Sequence, residues 1–216
     1  MHWHHNYEII MNNNIGLILS GGGARTAFQA GVLKAISEWV SRGHIPFKVI
    51  SGASAGAINA AYLAANADQF QVAVSNMIHM WGTLTTRKVY SSDILTKNYL
   101  QSLVNLFNQI RKGPQGANSI LNALPLAKLL HKEVNFDRIQ YCLDNHFLDS
   151  VAITTTSFQH SMTTTFVQSN RDIAWERVRR KGVKEQLRVK HLMASTAIPF
   201  LFPPVKINQH FFGDGS

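Results

Sequence analysis

A serine flanked by small residues is the strongest candidate for chemistry in this sequence. It stands in the run Gly52-Ala53-Ser54-Ala55-Gly56, with a predicted strand before it and a predicted helix after it. A serine at a sharp strand-to-helix turn exposes its hydroxyl, and small neighbours permit the tight turn. The following helix would direct backbone N–H groups and its positive end toward a developing anion. The pattern therefore predicts a nucleophilic serine, with a plain strand–helix turn as the alternative.

A glycine-rich loop lies about thirty residues before this serine. The run Gly21-Gly22-Gly23-Ala24-Arg25 also stands between a predicted strand and a predicted helix. Three glycines let backbone N–H groups converge, and such a loop can hold a tetrahedral oxyanion or a phosphate. A dinucleotide site requires Gly-x-Gly-x-x-Gly and an acid after the next strand, and a Walker loop requires Gly-Lys-Ser/Thr. The sequence has neither pattern, so it disfavours nucleotide binding.

An aspartate near the end of the sequence is the third feature of interest. Asp214 stands between Gly213 and Gly215, after a predicted apolar hairpin. By itself an Asp-Gly pair indicates a surface turn. Its place late in the chain is of interest only because the other two motifs exist.

The elements that would carry these motifs alternate between strand and helix. The pattern predicts a strand over 15–19, a helix from 25 to about 42, a strand over 47–50 and a helix over 55–66. In the first helix, apolar residues at 28, 32, 35, 36, 39 and 40 share one predicted face. This βαβα order implies a parallel sheet covered by helices. Further helices are predicted over 70–81, 94–110, 125–131 and 190–195, and strands over 151–156, 162–167, 205–207 and 210–212.

The chain is strongly basic, with a formal net charge of +9. Eight basic and three acidic residues give a local charge of +5 over 171–190. This segment is interpreted first as a solvated helical face and second as a patch that contacts an anionic membrane. Nucleic acid is not expected as a partner, because no nucleic-acid-binding motif accompanies the charge.

The composition also bears on the cellular location of the protein. Cys142 is the only cysteine and lies in an apolar helical stretch, which favours a core position and excludes an intrachain disulfide. No apolar run reaches the ~18 residues of a membrane span, and residues 1–14 contain no signal-peptide core. We expect a cytoplasmic or peripheral membrane protein. His2, His4 and His5 are expected to belong to a floppy terminus and not to a metal site.

Taken together, the motifs resemble those of the patatin-like phospholipase family. The resemblance rests on the glycine-rich run, the Gly-x-Ser-x-Gly run, and the late runs Ala194-Ser195-Thr196-Ala197-Ile198-Pro199, Phe202-Pro203-Pro204 and Gly213-Asp214-Gly215. It extends over nearly all of residues 15–216. It implies a three-layer α/β/α sandwich with a mostly parallel central sheet, and hydrolysis of lipid acyl esters by a Ser–Asp dyad without metal or cofactor.

The resemblance also implies roles for individual residues. Ser54 would be the nucleophile and Asp214 the base. The backbone amides of Gly21, Gly22 and Gly23 would form the oxyanion hole, and Arg25 would support their loop. The substrate would be a lipid or phospholipid, with membrane contact through the basic surface.

Two positions depart from the family pattern. Thr26 stands where the family usually has glycine, so we expect a reshaped glycine-rich loop. The chain stops at Ser216, where family members continue. We therefore expect residues 1–13 to form a flexible extension and residues 14–216 a catalytic domain truncated at its C-terminal end.

Three other interpretations stay open. An α/β-hydrolase triad would need a histidine, such as His191 with Asp172, or His210. A lipid-binding module with a relict site would bind membranes without cleaving esters, and an acyltransferase would pass the acyl group to an acceptor other than water. The Met77, Met80 and Trp81 cluster and the 200–202 cluster are interpreted as core or as the lining of a lipid pocket, and the 111–119 loop is a candidate lid.

Overall fold

The structure is a computed structural model that describes residues 15–40, 43–90 and 121–215. Seven α-helices lie in these ranges: α1 (Ala27–Trp39), α2 (Ala55–Ala65), α3 (Phe70–Gly82), α4 (Thr86–Val89), α5 (Leu124–Glu133), α6 (Phe136–Asp144) and α7 (Val189–Ser195). The strands of the same ranges are β1 (Gly16–Leu19), β2 (Val49–Ala53), β3 (Ser150–Ser157), β4 (Met162–Ser169), β5 (Trp175–Arg177), β6 (Arg180–Lys184), β7 (Val205–Ile207) and β8 (His210–Gly213). A 3-10 turn over Gly23–Thr26 leads into α1.

The strands form one mixed sheet in the order β1-β2-β3-β4-β6-β5, with β8 paired to the end of β3 and β7 paired to β8. Neighbours β1, β2 and β3 are parallel, as are β4 and β6, whereas the other four described pairings are antiparallel. The predicted α/β class with a central sheet is confirmed. The parallel part is confined mainly to the half that carries Ser54, because β3 and β4 are joined by a short hairpin that permits only antiparallel pairing.

Helix α2 packs against β1, β2 and β3 and is buried along its whole length. Its small residues allow this close approach. A Cβ added to Gly52 would lie 2.6 Å from the carbonyl oxygen of Gly56, so only glycine fits at this point of β2. The tight contact fixes the position of the turn between β2 and α2.

The helical layer lies on one face of the sheet. The strand order β1-β2-β3 with right-handed connections brings the linking helices to the same face. On the opposite face, Ile18 is 84% exposed and Val49 is 43% exposed. That face is therefore exposed at β1 and β2, whereas β3 is buried along most of its length.

The buried face of α1 differs from the predicted one. Phe28, Val32 and Trp39 are exposed, whereas Gln29 and Leu33 are buried. The predicted apolar face was therefore wrong. A hydrogen bond between Gln29 and Asn59 explains the orientation, because it holds the side of α1 that carries Gln29 against α2.

The interpretation of 171–190 as a helical face is also wrong. The segment contains the β5–β6 hairpin, which turns at Val178 and Arg179, where Arg179 has φ 58°. The indole of Trp175 covers Gly182, and a Cβ there would collide with the ring. Strand β6 lies between β4 and β5, and Gly182 is its one buried residue, whereas Arg180, Lys181 and Lys184 are exposed.

Most other predicted elements are confirmed in the described ranges. The β7–β8 hairpin and the short helix α7 lie where the pattern predicted them. Cys142 is buried in α6. The predicted helix 94–110, the 111–119 loop and the 1–13 extension lie outside the described residues. Within those residues, the helices are all too short or too polar to cross a membrane.

Candidate active site

Ser54 occupies a strained turn between β2 and α2. Its backbone has φ 51° and ψ −131°, a conformation that residues other than glycine rarely adopt. The turn also depends on Gly56, because a Cβ there would collide with the carbonyl oxygens of Leu19 and Ser20. Such a strained residue at a strand-to-helix turn is typical of functional serines.

The side chain of Ser54 meets that of Asp214. The Ser54 hydroxyl donates a hydrogen bond of 2.8 Å to Oδ2 of Asp214, although 160 residues separate them in the sequence. Asp214 directly follows β8, and its N–H donates to the carbonyl of Ala197 at 3.0 Å. The next residue, Gly215, passes so close to the carbonyl of Thr154 that a side chain would collide with it. Backbone contacts on both sides therefore hold the carboxylate in place.

The hydroxyl of Ser195 supports the same turn. It accepts a hydrogen bond of 2.9 Å from the N–H of Ser54 and donates one of 2.6 Å to the carbonyl of Thr154. Ser195 is fully buried at the end of α7. It thus links the turn of Ser54 to strand β3.

The glycine-rich loop borders the same cavity as Ser54. Gly23 and Ala24 line this cavity, and Gly23 has φ +55°, which suits glycine. The N–H of Arg25 donates to the carbonyl of Gly22 at 3.2 Å and closes the 3-10 turn, while the Arg25 side chain is exposed. The predicted loop and the predicted nucleophile are therefore brought together.

A chain of hydrogen bonds between side chains, here called the relay, lies behind this loop. The Gln29 amide donates to the carbonyl of Ser20 at 2.9 Å, and Asn59 donates to Gln29 at 3.0 Å. The indole N–H of Trp81 then donates to Asn59 at 2.7 Å. The relay connects the start of the glycine-rich loop to helices α1, α2 and α3.

An apolar cavity of about 620 Å³ adjoins Ser54. Its wall includes residues from α2, α3, α4 and α5 and from the turn after α7. Met80, Trp81, Leu201 and Phe202 line it, as the pocket interpretation predicted, whereas Met77 is buried in the core. The space beside the hydroxyl suits a hydrocarbon chain.

Three comparisons with known proteins are consistent with this geometry. The family model of the patatin-like phospholipases matches residues 17–216. The chain belongs to this family. Lysophospholipase nte1 of Aspergillus terreus is 44% identical over 59 residues, which are 27% of this chain and 4% of the relative. The crystal structure of VipD from Legionella pneumophila matches with a TM-score of 0.57 at 16% identity, covering 94% of this chain and 46% of that chain.

The chain spans less than half the length of VipD and a small part of nte1. The VipD match shows the fold alone.

Thr26 is a departure from the patatin-like pattern that the fold accommodates. Its backbone is right-handed helical, with φ −60°, so the position does not require glycine. The side chain is buried beneath Gly22, and among the described residues its hydroxyl has no hydrogen-bond partner. The residue therefore fills space under the glycine-rich loop.

The histidines proposed for a triad make other contacts. Nδ1 of His191 accepts a hydrogen bond of 2.9 Å from the N–H of Arg188. The acidic residue beside Nε2 is Glu185, at 3.3 Å, and not the expected Asp172. Burial lowers the pKa of His191 to about 4, and the nearby Lys190 adds to this effect while Glu185 opposes it. His210 packs its ring against His160.

The described residues contain no group of three or more His, Cys, Asp or Glu side chains arranged to hold a metal ion. Burial raises the pKa of the Cys142 thiol, which keeps it protonated in the core.

Sequence reasoning gave no role to several residues of this site. Ser195 was noticed only within a family motif, and Gln29 and Asn59 were not noticed. A polar residue facing inward from an apolar helix is the available signal, but it does not identify the partner. Asn59, fully buried within the apolar α2, carries that signal most clearly.

Proposed function

We propose that this protein hydrolyses carboxylic esters of lipids through an acyl-enzyme on Ser54, with Asp214 as the base. The observation that carries the proposal is the 2.8 Å hydrogen bond from the Ser54 hydroxyl to the Asp214 carboxylate. A weakly nucleophilic hydroxyl is activated by a base within this distance.

In acylation, Asp214 takes the hydroxyl proton while Oγ of Ser54 attacks the ester carbonyl carbon. The carbonyl oxygen becomes an oxyanion. When the tetrahedral intermediate collapses, the bond to the alkoxy group breaks, and that oxygen leaves with the proton from Asp214. The acyl group is then bound to Ser54 and Asp214 is again a carboxylate.

In deacylation, the same groups act on water. Asp214 takes a proton from a water molecule as the water oxygen attacks the acyl carbon. When this second tetrahedral intermediate collapses, the bond between that carbon and Oγ of Ser54 breaks, and Asp214 returns the proton to Oγ. The products are a fatty acid and the regenerated serine. A carboxylate is a weaker base than imidazole, so the dyad depends on good stabilisation of the oxyanion.

We assign that stabilisation to the backbone amides of Gly21, Gly22 and Gly23, with Arg25 closing their turn. Gly23 and Ser54 border one cavity, which supports this role. Loss of one oxyanion donor typically lowers the rate ~10²–10³-fold. The rest of the cavity is apolar, which supports a long acyl chain as the part of the substrate that binds there.

We also propose peripheral contact with anionic lipid surfaces. The net charge of +9 supports this contact. Exposed arginines and lysines of the β5–β6 hairpin form one candidate for this surface, at Arg177, Arg179, Arg180, Lys181 and Lys184. The basic residues of α4 form another.

A fluorophosphonate probe followed by mass spectrometry tests the dyad. We expect labelling at Ser54 in the intact protein, no labelling in Ser54→Ala, and strongly reduced labelling in Asp214→Asn, which keeps the shape but removes the base. Circular dichroism verifies that the variants are folded. A folded protein that is not labelled at Ser54 contradicts the proposal and favours a lipid-binding module.

A further inference from the structure

An apolar turn borders the mouth of the cavity. The turn 198–202 follows α7, and Ile198 and Leu201 both line the cavity and are exposed to solvent, at 38% and 40%. Residues that border cavity and solvent together mark the rim of the opening. Phe200, at the tip of the turn, is 61% exposed. Three exposed apolar side chains are therefore concentrated at the cavity entrance.

The backbone at the tip is strained. Phe200 has φ 69°, a conformation that is unfavourable for a bulky side chain. The surrounding hydrogen bonds keep it there: the N–H groups of Leu201 and Phe202 donate to the carbonyl of Ile198, at 3.2 and 3.0 Å. The fold thus holds an aromatic ring out into solvent at a cost in stability, and such strain persists at functional sites.

Basic residues lie on another part of the same rim. In α4, Thr86 and Val89 line the cavity, and the two residues between them, Arg87 and Lys88, are exposed. The ring of Tyr90, directly after α4, contacts that of Phe202 with centroids 6.1 Å apart. This contact joins α4 to the apolar turn. We call the turn 198–202 and helix α4 together the cavity rim.

We propose that the cavity rim is the surface by which this protein docks onto an anionic phospholipid membrane. Phe200 and its apolar neighbours enter the acyl-chain region, while Arg87 and Lys88 contact the phosphates. Aromatic and aliphatic groups beside cations are the pattern of interfacial membrane binding. A lipid leaving the bilayer then enters the cavity beside Ser54 without crossing water. This inference rests on the proposed function, since the membrane supplies the substrate.

Two other exposed surfaces are alternatives for membrane docking. The β5–β6 hairpin is more basic, and the exposed face of α1 carries Phe28, Val32 and Trp39. Neither has residues among those lining the cavity. The cavity rim alone, among these three described surfaces, combines exposed apolar groups, cations and continuity with the space beside Ser54.

Vesicle flotation and two activity assays test the inference. The vesicles contain phosphatidylcholine with about one third phosphatidylglycerol, and the assays use a soluble short-chain ester and a phospholipid in the same vesicles. We expect Phe200→Ser to weaken vesicle binding about tenfold, because a largely exposed Phe loses its burial in the bilayer. Turnover of the vesicle phospholipid should fall by a similar factor, and hydrolysis of the soluble ester should be unchanged.

Additional variants separate docking from folding. Phe200→Gly suits the positive φ, so it should keep or raise the melting temperature while weakening vesicle binding as Phe200→Ser does. Arg87→Gln combined with Lys88→Gln should weaken binding about 25-fold at low salt, with little effect on pure phosphatidylcholine. Matched controls are Trp39→Ser on α1 and Arg179→Gln with Arg180→Gln on the hairpin, which should bind like the parent.

The outcomes distinguish this inference from the proposed function. Vesicle binding that survives the rim variants but fails in the α1 or hairpin variants overturns the inference and assigns docking to that surface. A parent protein that does not bind these vesicles overturns it as well. Absence of soluble-ester hydrolysis in the parent contradicts the proposed function instead, whereas the binding measurements, repeated in Ser54→Ala, still test the rim.

Discussion

The hydroxyl of Ser195 accepts a hydrogen bond from the N–H of Ser54 at 2.9 Å. The carbonyl of Ser195 accepts one from the N–H of Gly215 at 3.3 Å, directly after Asp214. One buried residue therefore contacts both the turn of the proposed nucleophile and the loop of the proposed base. Because its hydroxyl also donates to Thr154, it ties both to β3.

Replacing Ser195 by alanine should lower activity and stability together. The variant leaves the N–H of Ser54 and the carbonyl of Thr154 without this partner in a buried site, which typically costs ~1–3 kcal/mol per group. A small shift of the nucleophile can lower the rate ~10²-fold. Denaturant unfolding measures the stability, and kcat on a soluble ester measures the shift.

Ser157→Ala is the matched control for Ser195→Ala. Ser157 is the last residue of β3 and is also buried, but among the described residues its hydroxyl has no hydrogen-bond partner. Its removal should change the free energy of unfolding by less than about 1 kcal/mol and leave kcat unchanged. Equal effects of the two substitutions would contradict a specific role for Ser195.

The Gln29–Asn59–Trp81 relay should position the glycine-rich loop. Asn59→Leu keeps the size of the side chain but removes the bonds to Gln29 and Trp81, so we expect a loss of ~1–3 kcal/mol for each buried group left unpaired. We expect the glycine-rich loop to shift together with Gln29 and Ser20. The kcat on a soluble ester should then fall ~10–100-fold while KM changes little.

Two variants sharpen this test. Trp81→Phe removes only one bond of the relay, so its effect on kcat should be smaller than that of Asn59→Leu. Asn66→Ala removes a single hydrogen bond, to the Tyr62 carbonyl, at the end of α2 away from the loop. It should leave kcat unchanged. A destabilised Asn59→Leu protein with normal kcat would show that the relay is structural only.

The sequence predicted those parts of the site that depend on local geometry. Gly52 and Gly56 reveal the tight turn of Ser54, because small residues are required wherever backbone approaches backbone. The dyad itself was predicted through the family resemblance, since no local pattern connects Ser54 with Asp214 across 160 residues.

Features that depend on tertiary contact were not predicted. Apolar periodicity favoured the side of α1 with Phe28 and Trp39, but the bonds of Gln29 bring the other side inward. The density of charge suggested a helical face for 171–190. The segment instead forms the β5–β6 hairpin beside β4, in which only Gly182 is buried, so its sequence has no regular apolar pattern. The apolar periodicity of a sequence predicts the buried face of an element well only where that face packs against an apolar surface.

Thr26 offers a test of how the departure from the family pattern is accommodated. Its buried hydroxyl lacks a partner among the described residues, so Thr26→Val should raise the free energy of unfolding by up to about 1 kcal/mol. Thr26→Gly removes the packed side chain and loosens the start of α1, and should destabilise by ~1–2 kcal/mol. Thermal and denaturant unfolding measure both. A destabilised Thr26→Val protein would reveal a hydrogen bond from this hydroxyl.

His191 should make the fold sensitive to acid. Burial lowers its pKa in the folded protein to about 4 from an ordinary value of 6.5. Between these two pH values the unfolded chain binds a proton that the folded chain does not, so the stabilisation is complete above pH 6.5 and is lost as the pH falls toward 4. A lowering of the pKa of this size corresponds to a few kcal/mol of stability, since one pKa unit is worth about 1.4 kcal/mol.

Denaturant unfolding at several pH values between 7.5 and 4 measures this loss. In His191→Asn, the amide oxygen can accept the Arg188 N–H in place of Nδ1, but the side chain does not titrate, so the pH dependence over this window should become flatter. Glu185→Gln keeps the buried histidine and removes the carboxylate that favours its charged form. The loss between pH 6.5 and 4 should then persist or increase. An unchanged slope in His191→Asn would assign the acid sensitivity to other groups.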